Sequence, residues 1–135
     1  MGIPIHISGL MGVFQNQRLK FNNLYLQEKQ MKNSIAFRMK IFPGAEIEYE
    51  KRHREIWPEL VVLLKESGIE NYSIFLDKET STLFAIQENT GKTSSQDLGN
   101  NPVVQRWWAY MADLMETNPD NSPVSVPLKE VFKLE

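Results

Sequence analysis

The chain has 135 residues, of which 41% are hydrophobic and 24% charged, and its formal net charge is −2. This length suffices for one domain with a substantial core. The balanced charge disfavours a nucleic-acid partner, and the absence of cysteine excludes disulfides, thiolate metal sites and a cysteine nucleophile. No apolar run approaches the ~20 residues that span a bilayer, so the sequence does not suggest a membrane protein.

The first 33 residues differ in composition from the rest. Residues 1–30 hold three basic side chains and one acidic one, and they lack the leader and cleavage site of a secretory signal. We therefore predict that residues 1–33 are an N-terminal extension, either a mobile tail or the product of an upstream start. An amphipathic targeting helix is a weaker alternative, because the first 27 residues hold no acidic residue but only two basic ones. Residues 34–135 are predicted to form the folded domain. His6 lies in the extension and is predicted to have no role.

A strand and a long helix open the predicted domain. Apolar residues alternate with others over residues 35–41, which predicts a half-buried strand, and Pro43-Gly44 ends it. Over residues 45–67 apolar side chains recur every three or four positions, as in an amphipathic helix. Pro58 removes a backbone donor inside this helix and should kink or divide it. Gly68 is a natural helix cap.

Two short strands and a polar loop follow. Residues 71–77 and 82–87 are rich in β-branched and aromatic side chains, and the segment between them is the size of a hairpin turn. We expect these two strands to pair antiparallel. Residues 88–102 are rich in Asn, Thr, Ser and Gly, which indicates a loop with at most one weak helical turn.

The last part of the chain supplies a second helix and a final strand. Pro102 suits a helix start, residues 103–115 have helical spacing, residues 118–123 form a turn cluster, and residues 126–134 read as a strand. The resulting order is the ferredoxin-like β-α-β-β-α-β arrangement, an α+β fold with helices on one face of an antiparallel sheet. The other face would be left open, so we expect a homodimer through sheet faces, of the dimeric α/β-barrel type.

His53 is the leading candidate for chemistry. It follows Tyr49 by four residues, so both share one helix face, and it precedes Trp57-Pro58. An imidazole beside a phenol can move protons on a polar ligand such as a sugar. Taken alone, a half-exposed helix histidine that hydrogen-bonds a carboxylate explains the pattern more simply.

Aromatic residues later in the chain could complete a pocket. Trp107 and Trp108 point about 100° apart on a helix, so one could pack in the core while the other meets a ligand. Tyr72, on the second strand, alone reads as a residue at the core edge. No Gly-rich phosphate loop, paired-histidine metal motif or nucleophile elbow occurs, which disfavours zinc and nucleotide enzymes.

Four sequence blocks resemble the L-rhamnose mutarotase family. They are Arg52-His53-x-x-Ile56-Trp57-Pro58-Glu59-Leu60, Asn71-Tyr72-x-Ile74-x-Leu76-Asp77, Gln105-Arg-Trp-Trp-x-Tyr-Met111 and Asn118-Pro-Asp-Asn-Ser-Pro-Val124. The blocks stand in the family's order and the resemblance spans about residues 34–135. The Arg-Trp-Trp and Asn-Pro-Asp-Asn-Ser-Pro segments make it specific.

The resemblance implies a cytoplasmic homodimeric isomerase that interconverts the α and β anomers of L-rhamnose without a cofactor. It places the acid/base histidine at His53, the sugar-contacting tyrosines at Tyr49 and Tyr72, and the tryptophan pair at Trp107 and Trp108. The sequence departs from the family at two places. Arg54-Glu55 flanks His53 and could alter its pKa, and residues 88–100 are more polar than expected for the start of a helix.

Anomer exchange opens a cyclic hemiacetal to an aldehyde and recloses it on the other face. A proton must reach the ring oxygen, and our hypothesis is that His53 donates it, with an effect of about 10²–10⁴-fold on the rate. Two alternatives remain open on the sequence. The domain could bind or sense a monosaccharide without turnover, or it could be a ferredoxin-like monooxygenase with a more apolar pocket.

Overall fold

The computed structural model describes residues 12–24, 32–91 and 93–135. The chain divides into two compact units, Met1–Lys32 and Asn33–Glu135. Within the described ranges, no helix has the length and apolar character needed to cross a membrane.

The first unit contains one described helix, α1, over residues 12–24. Its large apolar side chains are exposed, namely Val13, Phe14, Leu19, Phe21 and Leu24. His6 lies outside the described residues. The predicted nature of residues 1–33 as an extension stays a prediction.

The second unit is built on a four-stranded antiparallel sheet. Its strands are β1 (Asn33–Lys40), β2 (Ile69–Asp77), β3 (Thr82–Asn89) and β4 (Val126–Leu128). They lie in the order β2-β3-β1-β4, and each neighbouring pair is antiparallel. β2 and β3 form the predicted hairpin. This strand order is the ferredoxin-like one, so the predicted α+β fold is confirmed.

Three helices and two short 3₁₀ turns connect the strands. The helices are α2 (Glu46–Arg54), α3 (Pro58–Glu66) and α4 (Pro102–Met111), and the turns are Ser95–Asp97 and Ala112–Leu114. The helix predicted over residues 45–67 is divided, as expected, because Trp57 is extended at ψ 130° and Pro58 starts a new helix. Gly68 ends α3 with a φ of 82°, which glycine adopts without strain.

The sheet has one covered and one open face. The inner face, which meets the helices, carries buried side chains of β1 and β3, namely Phe37, Met39, Leu83, Ala85 and Gln87. Helices contribute Tyr49, Leu60, Val104, Trp107, Trp108 and Met111 to the same core. The outer face carries side chains paired across the four strands, namely Ala36, Arg38, Phe75, Phe84, Ile86, Val126 and Leu128. Phe75 on this face is 59% exposed.

Two elements differ in length from the prediction. The helix expected over residues 103–115 ends as an α-helix at Met111 and tightens into the turn Ala112–Leu114, as helix C-termini commonly do. The strand predicted over residues 126–134 stops at Leu128. Only Ala36–Arg38 of β1 pair with it. Beyond that point the alternating pattern has no neighbouring strand among the described residues, and a strand forms only where another backbone can accept its hydrogen bonds.

Candidate active site

All five residues singled out in the sequence line one cavity of about 1260 Å³. Tyr49 and His53 come from α2, Tyr72 from β2, and Trp107 and Trp108 from α4. The floor is the inner face of the sheet, and α2, α3 and α4 form the walls. The structure therefore brings together residues that lie up to 59 positions apart in sequence. Their roles remain predictions.

His53 is held in one tautomer by its own helix. Its Nδ1 lies 3.0 Å from the carbonyl oxygen of Tyr49, one turn earlier. A carbonyl only accepts, so Nδ1 carries the hydrogen and Nε2 keeps a free lone pair in the neutral ring. The ring stacks on that of Tyr49, with 4.3 Å between centroids, and meets the edge of Trp107 at 5.4 Å.

Burial lowers the pKa of His53 below the 6.5 of an exposed imidazole, and the hydrogen bond to the Tyr49 carbonyl opposes this shift only in part. The ring is therefore neutral at neutral pH and can accept a proton at Nε2. The flanking Arg54 is exposed and pairs with Glu50 at 3.5 Å on the helix surface. Burial and the Tyr49 carbonyl thus account for the shift of the His53 pKa without the neighbouring charges.

Arg52 ties the histidine-bearing helix to the end of α4. Its guanidinium donates to Glu48 at 3.0 Å, to Asp113 at 2.8 and 3.2 Å, and to the Tyr110 carbonyl at 2.7 Å. It also lies 4.5 Å from the centroid of the Tyr110 ring. The side chain is only 12% exposed, and its hydrogen bonds hold the pKa of Asp113 below its usual range. Sequence reasoning gave Arg52 no role because two of its partners lie 58 and 61 residues away.

A β-bulge turns Tyr72 towards the cavity. The pairing of β2 with β3 shifts by one residue between Glu70 and Ser73, and Asn71 has a φ of 47°. Ile69 and Ile74 both pair with inner-face residues of β3, although an odd number of positions separates them. Strict alternation could not place both on one face, so the extra residue allows it and lets Tyr72 face inward as well.

Both tyrosines are held as neutral phenols. Burial raises the pKa of Tyr49, and the nearby Tyr72 raises it further. Burial also raises the pKa of Tyr72, while a hydrogen bond with Ser95 opposes that shift. Two neutral hydroxyls can donate or accept hydrogen bonds within the cavity, and neither supplies a fixed charge.

Trp107 and Trp108 are both buried and both line the cavity. The Trp107 ring also packs edge-on against Trp57, with 5.1 Å between centroids. Trp108 lies over Gly99, where a Cβ would stand 2.8 Å from its Cζ3. Both rings are buried and both line the cavity, so the structure does not divide these two positions between them, and which tryptophan meets a ligand stays a prediction.

Gln87 and Ser95 form a polar pair that sequence reasoning missed. Gln87 is 0% exposed on the inner face of β3. Its Oε1 accepts from the Ser95 backbone N–H at 2.8 Å, and its Nε2 donates to Ser95 Oγ at 2.9 Å. Ser95 lies in the segment predicted as a loop. The local signal was the capping box of Ser94 and Asp97, which starts the 3₁₀ turn.

Within the described ranges, no group of three or more His, Asp or Glu side chains could hold a metal ion. The polar groups of the cavity are an imidazole, two phenols and neutral amides or hydroxyls, with charged side chains such as Glu46, Lys65 and Lys78 also among its lining residues. This set can move a proton and hydrogen-bond several hydroxyls, while the indoles can cover the C–H face of a small ring.

Comparison with known proteins assigns a family to this arrangement. The family model for L-rhamnose mutarotase matches residues 34–134. An L-rhamnose mutarotase from Bacteroides thetaiotaomicron is 61% identical over 100 residues, which cover 74% of this chain and 96% of that protein. One from Phocaeicola vulgatus is 59% identical over 100 residues, with the same two shares covered.

A solved structure agrees with the sequence comparisons. The crystal structure of L-rhamnose mutarotase from Formosa agariphila superposes with a TM-score of 0.72 at 52% identity, and it covers 76% of this chain and 99% of that one. The residues that the family model matches hold the four-stranded sheet, α2 to α4 and the cavity. The chain therefore belongs to the L-rhamnose mutarotase family.

Proposed function

We propose that this protein is an isomerase that interconverts the α and β anomers of L-rhamnose without a cofactor. Family membership supports the reaction and the sugar. The observation that carries the mechanism is the tautomer of His53, whose Nδ1 is engaged by the Tyr49 carbonyl at 3.0 Å. Its remaining nitrogen, Nε2, is an acceptor in a cavity that two phenols and two indoles also line.

The low pKa of His53 favours an order of transfers that differs from the sequence-based hypothesis. A neutral ring must accept a proton before it can donate one. We propose that Nε2 first takes the proton of the anomeric hydroxyl as the C1=O bond forms and the bond from C1 to the ring oxygen breaks. The imidazolium then gives that proton to the ring oxygen. Both oxygens are bonded to the same carbon, so one nitrogen can serve both.

Reclosure reverses these steps after the aldehyde has turned about the C1–C2 bond. The ring oxygen adds to the other face of C1, its proton passes to Nε2, and Nε2 returns it to the carbonyl oxygen. No proton is gained or lost over the cycle. Tyr49 and Tyr72 would hydrogen-bond the sugar oxygens, and Trp107 or Trp108 would cover the apolar face of the ring.

Exchange between the two anomeric proton signals of L-rhamnose, followed by saturation-transfer NMR, tests the proposal. We expect His53→Asn to lose about 10²–10⁴-fold in rate. Arg54→Ala, a change at the exposed neighbour, should exchange anomers like the parent. A folded His53→Asn variant with the parental rate would overturn the role of His53. A parent protein that binds L-rhamnose but exchanges it no faster than buffer would favour a non-catalytic binding module.

We further propose a cytoplasmic homodimer that pairs through the outer face of the sheet. That face carries Phe75, Ile86, Val126 and Leu128 with a third or more of each side chain exposed. These apolar side chains lie around Arg38, and an exposed sheet face with several large apolar side chains is a common protein interface. The absence of cysteine suits a reducing compartment.

A further inference from the structure

The buried amide of Gln87 has only one possible orientation. Its side chain is 0% exposed and makes two hydrogen bonds with Ser95. The backbone N–H of Ser95 can only donate, so the Gln87 atom 2.8 Å away must be the oxygen. Nε2 is then the atom that faces Ser95 Oγ at 2.9 Å, and it can only donate.

The fixed amide in turn fixes the hydroxyl hydrogen of Ser95. Oγ accepts from Gln87 Nε2 at 2.9 Å and lies 3.4 Å from Gln96 Nε2, a second pure donor. The remaining contact of Oγ among the described hydrogen bonds is Tyr72 Oη, at 3.4 Å. This distance is long for a hydroxyl pair, as is common at catalytic sites without ligand. Tyr72 Oη is the one acceptor available to the Ser95 hydrogen in this set.

An oxygen that accepts from Ser95 keeps its own hydrogen for another partner. Tyr72 lines the cavity, so its O–H is left to point at a ligand there. The ring oxygen of a pyranose carries no hydrogen and can only accept, unlike the hydroxyls around it. We propose that Gln87 and Ser95 are positioning residues that hold Tyr72 as a hydrogen-bond donor to the ring oxygen of the sugar.

This arrangement would help the reaction as well as binding. Negative charge develops on the ring oxygen as its bond to C1 breaks, and a phenol already pointed at that atom stabilises it without reorganisation. Donation along Gln87, Ser95 and Tyr72 strengthens each successive bond, because each donor is polarised by the one before it. The inference rests on the proposed mutarotase function, but the orientation of Tyr72 can be tested without turnover.

The first test is a double-mutant cycle on anomer exchange. We expect Ser95→Ala to lower kcat by about tenfold, the value of one charge-stabilising hydrogen bond, with a smaller change in KM. In a Tyr72→Phe background the same change should cost nothing, because its effect passes through the Tyr72 hydroxyl. Equal losses in both backgrounds would overturn the proposal.

Ser94→Ala is the matched control. It removes the cap of the same 3₁₀ turn, in which Ser94 Oγ accepts from the Gln96 N–H at 2.9 Å. It leaves the hydrogen bonds among Gln87, Ser95 and Tyr72 in place. If these hydrogen bonds act through Tyr72, Ser94→Ala should retain most of the activity. A loss as large as that of Ser95→Ala would assign the effect to the fold of the turn and refute the positioning role.

The second test reads the hydrogen bond directly in the protein without sugar. The intensity ratio of the two bands of the tyrosine Raman doublet, a general property of phenols, reports whether the oxygen accepts or donates. The signal of Tyr72 is isolated by subtracting the spectrum of Tyr72→Phe, and an accepting phenol is expected because Ser95 donates. Ser95→Ala and Gln87→Glu should both reduce this accepting character.

Gln87→Glu, measured at a pH high enough to ionise the buried carboxyl, is informative because an ionised carboxylate is close to an amide in shape but can only accept. It would draw the Ser95 hydrogen to itself and turn Tyr72 into the donor of that pair. An unchanged doublet in both variants would overturn the proposed orientation. If the parent fails to exchange anomers but the doublet changes as expected, the proposed function fails while the orientation of Tyr72 stands.

Discussion

The carbonyl of Tyr49 and the Nδ1 of His53 lie 3.0 Å apart, while the rings of the same two residues stack at 4.3 Å between centroids. One residue thus fixes both the tautomer and the plane of the other. The i, i+4 spacing on a helix makes this possible, since side chains one turn apart share a face. Because Tyr49 acts through its backbone as well as its ring, changing its side chain removes only part of its influence.

The pH dependence of anomer exchange follows from the lowered pKa of His53. The base form is populated above this pKa, which lies below 6.5. After correction for the buffer reaction, we expect kcat/KM to be flat near neutral pH and to fall about tenfold per unit below the midpoint. Titration of the His53 ring by NMR should give the same midpoint. A midpoint above 7 would contradict the neutral-base mechanism.

The same shift links folding to pH. The unfolded chain binds a proton at His53 more tightly than the folded one, so the free energy of unfolding should decrease as pH falls from 6.5 towards the folded-state pKa. Below the pKa values of both the unfolded and the folded chain, His53 causes no further decrease in the free energy of unfolding. Urea unfolding of the parent and of His53→Asn over this range would separate its contribution, and parallel curves for the two proteins would argue against it.

Arg52→Met should loosen α2 from the end of α4. The change removes a largely buried guanidinium that binds Asp113 and the Tyr110 carbonyl, and we expect a loss of about 2 kcal/mol in the free energy of unfolding. Arg54→Met is the control, because its exposed pair with Glu50 should contribute less than about 0.5 kcal/mol. Urea titration measures both. Equal losses would show that Arg52 does not tether the helix.

Gly99→Ala tests the packing of Trp108. The new Cβ would stand 2.8 Å from Trp108 Cζ3, so the indole or the loop must shift. Overpacking of this kind costs about 1–3 kcal/mol, and a displaced indole should also raise KM for L-rhamnose. Gly91→Ala, where a Cβ meets nothing within 4 Å, should be nearly neutral. Thermal unfolding and tryptophan fluorescence would detect the difference, and a neutral Gly99→Ala would contradict the close contact.

Phe75→Lys tests the proposed dimer. Phe75 is exposed on the outer face of the sheet, and a buried lysine there would oppose association because its charge would lose water. We expect light scattering to give a dimer mass for the parent and a monomer mass for the variant. Val62→Lys, an exposed apolar position on α3, should leave the dimer intact. A monomeric parent would refute the proposal outright.

Most of the fold could be predicted from local signals in the sequence. Pro58 predicted the division between α2 and α3 because its ring and missing N–H act on immediate neighbours. Tyr49 and His53 could be placed together for the same reason, since four residues make one helical turn. The strand order followed from the sequence of elements and a short hairpin turn, which leave few topologies open.

The features that could not be predicted from the sequence depend on partners that are far apart along the chain. Arg52 meets Asp113 across 61 positions, and nothing around either residue indicates the other. The sequence around Gln87 indicates only a strand residue, and its contact with Ser95 arises in the folded structure. The last strand was predicted too long because alternation records the tendency of a segment to form a strand and not whether a neighbour is present.

The bulge at Asn71 decides which side chains of β2 share a face. If the same residues alternated without a bulge, Ile69 and Tyr72, three positions apart, would lie on opposite faces of the sheet. Either the core would lose an isoleucine at one end of the sheet, or the cavity would lose a phenol. In this family member, one extra backbone residue in an edge strand therefore decides whether the second tyrosine belongs to the cavity.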